Sequence, residues 1–223
     1  MGGKKGELKS GAVSTGGVVV GTDGGGAAWG RSGGGLTASA GGLVAGVRDG
    51  ALSTGTSAVG LIDAAGNILL ETTESAEGTA SDADITLSAP LESDGSVSLR
   101  SADRLILGVN GDVLIGSGSG TVDIEAAGAV TMDAGALIDT ASNASDNAVR
   151  VSAGGGLTLG VINAGAGAVA LLATTISDAG VSGSHVTAGS LFMEANDAGG
   201  ALGTGAAPLK LTVGTLAARA GTG

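Results

Sequence analysis

The feature that most constrains this chain is a beat of about eight residues between short apolar triplets. Val97-Ser98-Leu99 is followed by Leu105-Ile106-Leu107, Val113-Leu114-Ile115, Val122-Asp123-Ile124 and Val130-Thr131-Met132. Their first members stand at positions 97, 105, 113, 122 and 130, and the pairs 149/157 and 161/169 keep the same beat. Apolar and polar residues alternate within each triplet, which is the strand period, and no 3.6-residue period competes with it. About five extended residues plus a tight Gly-containing turn make one side of a flattened or triangular coil. Two or three such sides close a coil of roughly 16 to 25 residues, the size range of solenoid repeats. Stacked about 4.8 Å apart, these coils would point like side chains inward as ladders. Ser98, Asp123, Thr131 and Arg150 would then face water.

The same beat also suits an up-and-down barrel or a sandwich of short hairpins. Two observations favour the solenoid. Hairpins lean on Asn-Gly and Asp-Gly turns, and only Asp23-Gly24, Asp49-Gly50, Asp94-Gly95 and Asn110-Gly111 are of that kind. Barrel and sandwich cores draw on bulky aromatics, whereas this chain of 223 residues has one Trp (Trp29), one Phe (Phe192) and no Tyr. Its 46 Gly occur without a Gly-X-Y period and with only two Pro, which excludes collagen. An all-β solenoid with short strands and Gly-rich turns is the expectation.

The regular pattern runs over 61–223. Residues 1–60 form a Gly-rich irregular segment, read either as a linker or as less regular coils, with short strands around Val18-Val19-Val20 and Leu43-Val44-Ala45. Glu71 to Asp84 and Thr140 to Asn147 read as loops leaving the coil. The last stretch reads as two strands, Leu209 to Val213 and Leu216 to Ala218.

A net charge of −11, from 21 acidic against 10 basic residues, argues against a nucleic-acid partner and against anionic membrane surfaces. The apolar runs are too short for a transmembrane helix. Lys4, Lys5 and Lys9 are followed by no apolar stretch longer than Val18–Val20, so no signal peptide is visible. An export signal would have to lie outside these residues.

From Gly95 onward the chain resembles the large exoproteins of the filamentous haemagglutinin type. The resemblance is carried by Gly-Ser-Val-Ser-Leu-Arg-Ser-Ala (95 to 102), Gly-Asp-Val-Leu-Ile-Gly (111 to 116), Gly-Ala-Val-Thr-Met-Asp-Ala-Gly (128 to 135) and Gly-Leu-Thr-Leu (156 to 159). Most telling is Ala-Leu-Gly-Thr-Gly-Ala-Ala-Pro-Leu-Lys-Leu-Thr-Val-Gly-Thr-Leu-Ala-Ala (201 to 218). It covers about 130 residues and includes no secretion domain of the family. The resemblance implies a right-handed parallel β-helix and a secreted or cell-surface rod that spaces, displays or adheres. It carries no catalytic residues.

Few residues invite chemistry. Asp123 and Glu125, at i and i+2, would present both carboxylates on one side of a strand, about 7 Å apart. That suits an inverting glycosidase pair, yet a solvated face is the simpler reading. His185 is the sole histidine, so a multi-His zinc site is unavailable; Ser184 beside it would face the opposite way. A turn histidine without a chemical role is expected. No phosphate-binding loop is present.

For calcium, Gly108-Val-Asn-Gly-Asp112 and Gly118-Ser-Gly-Thr-Val-Asp123 misplace the Asp of the exported β-roll repeat. Asp82, Asp84, Glu92 and Asp94 could hold at most a weak calcium ion. The sequence therefore predicts no catalytic, cofactor or metal site. It predicts a structural or adhesive module, with an end-to-end fibre subunit as the alternative, self-association as the expected partner and a surface receptor or polysaccharide as a further one. A carbohydrate-active enzyme ranks last.

Overall fold

The computed structural model describes 66–73, 83–116, 120–141 and 148–221 in full, and the backbone of the strands within 18–64. β1 (Val18–Asp23) pairs antiparallel with β2 (Gly42–Arg48). Every other described pairing is parallel. The first coil comprises β2, β3 (Leu52–Ser53) and β4 (Ile62–Ala64), the next β5 (Ile68–Thr73), β6 (Ile85–Leu87) and β7 (Leu91–Ser93). Above them lie β8 (Val97–Ser101), β9 (Leu105–Leu107) and β10 (Val113–Ile115), then β11 (Val122–Ala126), β12 (Val130–Met132) and β13 (Leu137–Asp139). β14 (Val149–Ala153), β15 (Leu157–Leu159) and β16 (Val161–Asn163) follow. The last coils contain β17 (Ala168–Ala173), β18 (Ile176–Asp178), β19 (Val186–Ala195) and β20 (Leu211–Arg219).

Each coil gives one strand to each of three faces, which makes the chain a three-sided parallel β-solenoid. β5, β8, β11, β14 and β17 stack on the first face, β6, β9, β12, β15 and β18 on the second, and β7, β10, β13 and β16 on the third. β19 runs through a corner and serves the third and first faces in one strand, pairing with β16 by Val186 and with β17 by Leu191. β20 repeats this path as one strand, where the sequence suggested two. Glu71, Thr72 and Thr73 likewise belong to β5, not to the expected loop. Residues 74–82 and 142–147 of the expected loops lie outside the described residues.

The period-2 pattern decides which side chains form the core. On the first face Val97, Val122, Val149 and Val169 stack in one ladder and Leu99, Ile124, Val151 and Leu171 in the next. All eight are at most 2% exposed. Ile85, Leu105, Val130 and Leu157 meet them from the second face, and Leu91, Val113, Ile138 and Ile162 from the third. Burying such a side chain contributes roughly 1.5–3 kcal/mol, so stability is spread evenly over the stack and no aromatic is needed.

Coil length varies only at the corners. The ladder partners Val97, Val122, Val149 and Val169 lie at steps of 25, 27 and 20. Residues 108–112 turn β9 into β10, whereas Gly160 alone turns β15 into β16. A Cβ at Gly160 would come within 2.6 Å of the Asp133 carbonyl oxygen in the coil beneath, so only glycine fits there. At another corner the buried hydroxyls of Thr72 and Ser101 bond the carbonyl of Ala83, at 2.6 and 2.8 Å, and satisfy backbone that no neighbouring strand reaches.

Candidate functional site

The alternation in β11 puts Asp123 and Glu125 outward on the first face, as the sequence predicts, and the stack adds what the sequence could not place. Arg150 occupies the Asp123 register one coil on. Its Nε lies 2.6 Å from Asp123 and its terminal nitrogen 3.1 Å from Glu125. One guanidinium thus bridges both carboxylates and fills the space between them. The hydrogen bond to Asp123 raises the Arg150 pKa above its ordinary value. Exposed pairs of this kind contribute at most about 1 kcal/mol each. Phe192 stands outward on β19, 39% exposed, between Ala170 and Ala217. Trp29 lies outside the described residues.

Of the expected calcium ligands, Asp84, Glu92 and Asp94 lie among the described residues, and they do not gather into a group of three. Asp84 is engaged by Arg104, at 2.8 Å, and accepts that residue's backbone N–H. Glu92 lies on β7, while Asp94 occupies the following corner. Asp112, half-buried, reaches to the adjoining coil and accepts the N–H of Leu137 at 2.9 Å. Burial pushes its carboxyl pKa up, and that hydrogen bond partly offsets the rise. Asp82 and Gly118 lie outside the described residues. Among the described residues no three metal-ligating side chains come together.

The most elaborate polar cluster is one that sequence reasoning missed. His185 does occupy a turn, ahead of β19, but its side chain is fully buried. Nε2 lies 2.6 Å from Asp178 Oδ1, and Nδ1 accepts the backbone N–H of Lys210 at 3.0 Å. With Nδ1 accepting, the geometry is that of the tautomer with its proton on Nε2, which donates to Asp178. Asp178 also accepts the N–H groups of Gly180 and Val181, in a turn where Gly180 takes the left-handed conformation at φ 92°. The His185 hydrogen bond first, and the Val181 N–H next, hold the Asp178 pKa down at about 2. Lys210 Nζ reaches back to the carbonyl of Val181 at 2.5 Å. Ser184 bonds Thr212 at 2.6 Å and takes no part in the Asp178–His185 pair.

Asp-x-Gly over 178–180 and the lone histidine were the only local signals for this corner, since Lys210 joins it from the next coil. Chemically, the cluster is closed. Both ring nitrogens have protein partners, and the ring has no exposed surface from which to reach a substrate. Its geometry joins the last two turns of the described solenoid. No family model, curated protein or solved structure matches the chain.

Proposed function

We propose that this chain is a segment of an extracellular bacterial rod, whose work is length, stiffness and the display of an adhesive surface. One observation carries the reading. The inward ladders run unbroken from coil to coil on all three faces, while the polar clusters between coils are spent on one another. Such an arrangement propagates rigidity along an axis and needs no catalytic group or cofactor. The resemblance to filamentous haemagglutinin-type exoproteins supports the cell-surface setting. A surface receptor or polysaccharide would be its partner.

Small-angle scattering with negative-stain electron microscopy tests the rod, and retention of chain-coated beads on a cell layer tests adhesion. The expected results are a particle that fits a stack of about 34 Å, from eight first-face strands about 4.8 Å apart, and retention above that of beads coated with an unrelated protein. Dimensions that do not fit such a stack would overturn the rod, and unretained beads would remove adhesion while leaving the rod.

A second reading, a fibre subunit that stacks copy on copy, is supported by β20. Leu216 is 50% exposed although it continues the ladder of buried Leu191, and Leu211 and Val213 are half-buried. Among the described residues nothing covers this ladder. Sedimentation separates the readings: a concentration-dependent series of oligomers supports the fibre, and a monomer at all concentrations removes it.

A further inference from the structure

We propose that His185 makes the corner between β18 and β19 an acid-opened clasp, which holds the following coil through Lys210 at neutral pH and releases it when the ring takes a second proton. The geometry leaves the ring one place to accept that proton. Nε2 already carries a hydrogen toward Asp178, so the new proton must go to Nδ1. Nδ1, however, is the acceptor for the Lys210 N–H at 3.0 Å. Two N–H groups would then face each other at hydrogen-bond distance, and one must withdraw. The ring is anchored from its other side by Asp178 and by its own carbonyl, which accepts the Ile162 N–H at 2.7 Å. Lys210 belongs to the exposed segment leading into β20; its carbonyl keeps the His185 N–H at 2.8 Å, and its own N–H is the group that turns away.

The charges around the ring act in the same sense. Asp178, at the end of β18, remains an acceptor down to strongly acid pH and gains an ion pair when the ring becomes a cation. Lys210 already places an ammonium on the Val181 and Ser182 carbonyls of this turn, and a cationic ring would repel it. β16, packed beneath, is Val161-Ile162-Asn163 and contributes no ionisable group. Protonation thus strengthens the ring's tie to its own coil and breaks its tie to the next. Histidine is the side chain suited to such a change in mildly acid surroundings.

His185 is the only histidine, so its ring signals in a heteronuclear NMR spectrum of the whole chain are unambiguous. On acidification the ring should pass from the Nε2–H tautomer to the cation. Hydrogen-exchange protection of the Lys210 amide should fall at least tenfold with the same midpoint, while that of Ile124 holds. In His185→Gln the pH-dependent loss at Lys210 should vanish, whatever the starting protection. If that variant does not fold, coincidence of the two midpoints in the unaltered chain decides. A ring that titrates while Lys210 stays protected overturns the clasp. So does a ring that stays neutral until the whole chain unfolds.

Discussion

Truncating Ile124 tests whether the inward ladder carries the stability of the stack. The side chain is fully buried, with Leu99 below it and Val151 above in the same register. Ile124→Ala removes three carbons, about 2.4 kcal/mol of transfer free energy at roughly 0.8 kcal/mol each. A cavity term adds to this, because ladder hydrogen bonds fix Leu99 and Val151 about 4.8 Å away on either side and prevent collapse into the space. The total should be about 3–4 kcal/mol, inside the usual span of about 2–5 for such truncations. Ile124→Asp loses the same packing and also strands a carboxyl among apolar neighbours, at a further cost of about 1–3 kcal/mol. Its sum approaches the whole stability of an ordinary domain, about 5–15 kcal/mol. Glu125→Gln, one residue away but outward, should change stability by no more than about 1 kcal/mol. Urea denaturation followed by circular dichroism reads all three. A cost under about 1 kcal/mol for Ile124→Ala, or an Asp variant no worse than Glu125→Gln, would refute the reasoning.

Further outcomes follow from the corners and the carboxylates. A Cβ at Gly120 would collide with the Gly95 carbonyl oxygen of the coil beneath, whereas one at Gly183 meets nothing within 4 Å. Gly120→Ala should therefore lower stability by about 1–3 kcal/mol, and Gly183→Ala should leave the urea midpoint in place. The folded pKa of Asp178, about 2, lies below its ordinary 3.8. Its contribution is whole above 3.8 and is lost as pH falls through about 2, so Asp178→Asn should lack that part of the acid-unfolding curve. Asp112 has the opposite sign, its folded pKa being raised. It favours the fold below its ordinary pKa and loses that contribution as pH rises. Asp112→Asn, which keeps an acceptor for Leu137, should raise the urea midpoint at pH 7 and lose that gain in acid.

Much of the fold was legible because each coil obeys local rules. The triplets beginning at Val97, Leu105, Val113, Val122 and Val130 are the first residues of β8 to β12. Three beats of eight make a coil because three short strands suffice to surround side chains the size of Val and Leu. The period-2 rule also places Ser101 inward, behind Val97 and Leu99. Its role at the corner was invisible, since the Ala83 carbonyl it bonds belongs to the preceding coil. β13 (Leu137–Asp139) escaped the beat because the polar interruption at 140–147 follows it directly. Asp123 and Glu125 were legible as an outward pair, but Arg150 enters only through coil register. The Asp178–His185–Lys210 corner was hidden for the same reason. Sequence shows a side chain's facing, while its partner one coil away depends on coil steps that run from 19 residues (Leu157 to Ile176) to 33 (Leu52 to Ile85).

The steps between ladder partners also have a kinetic consequence. Adding a coil to a formed stack closes a loop of roughly 25 residues, and the entropy of closure depends only on that local length, as about (3/2)RT ln n. The cost is the same for each coil added after the first pair, however long the solenoid grows. Folding of such a chain is a zipper: the search is slow once, for the first two coils, and thereafter each turn lays itself on the last. Its duration should rise in proportion to coil number, while the hardest single step stays unchanged. A chain built this way can order itself one turn at a time as residues become available, with no distant segment to wait for.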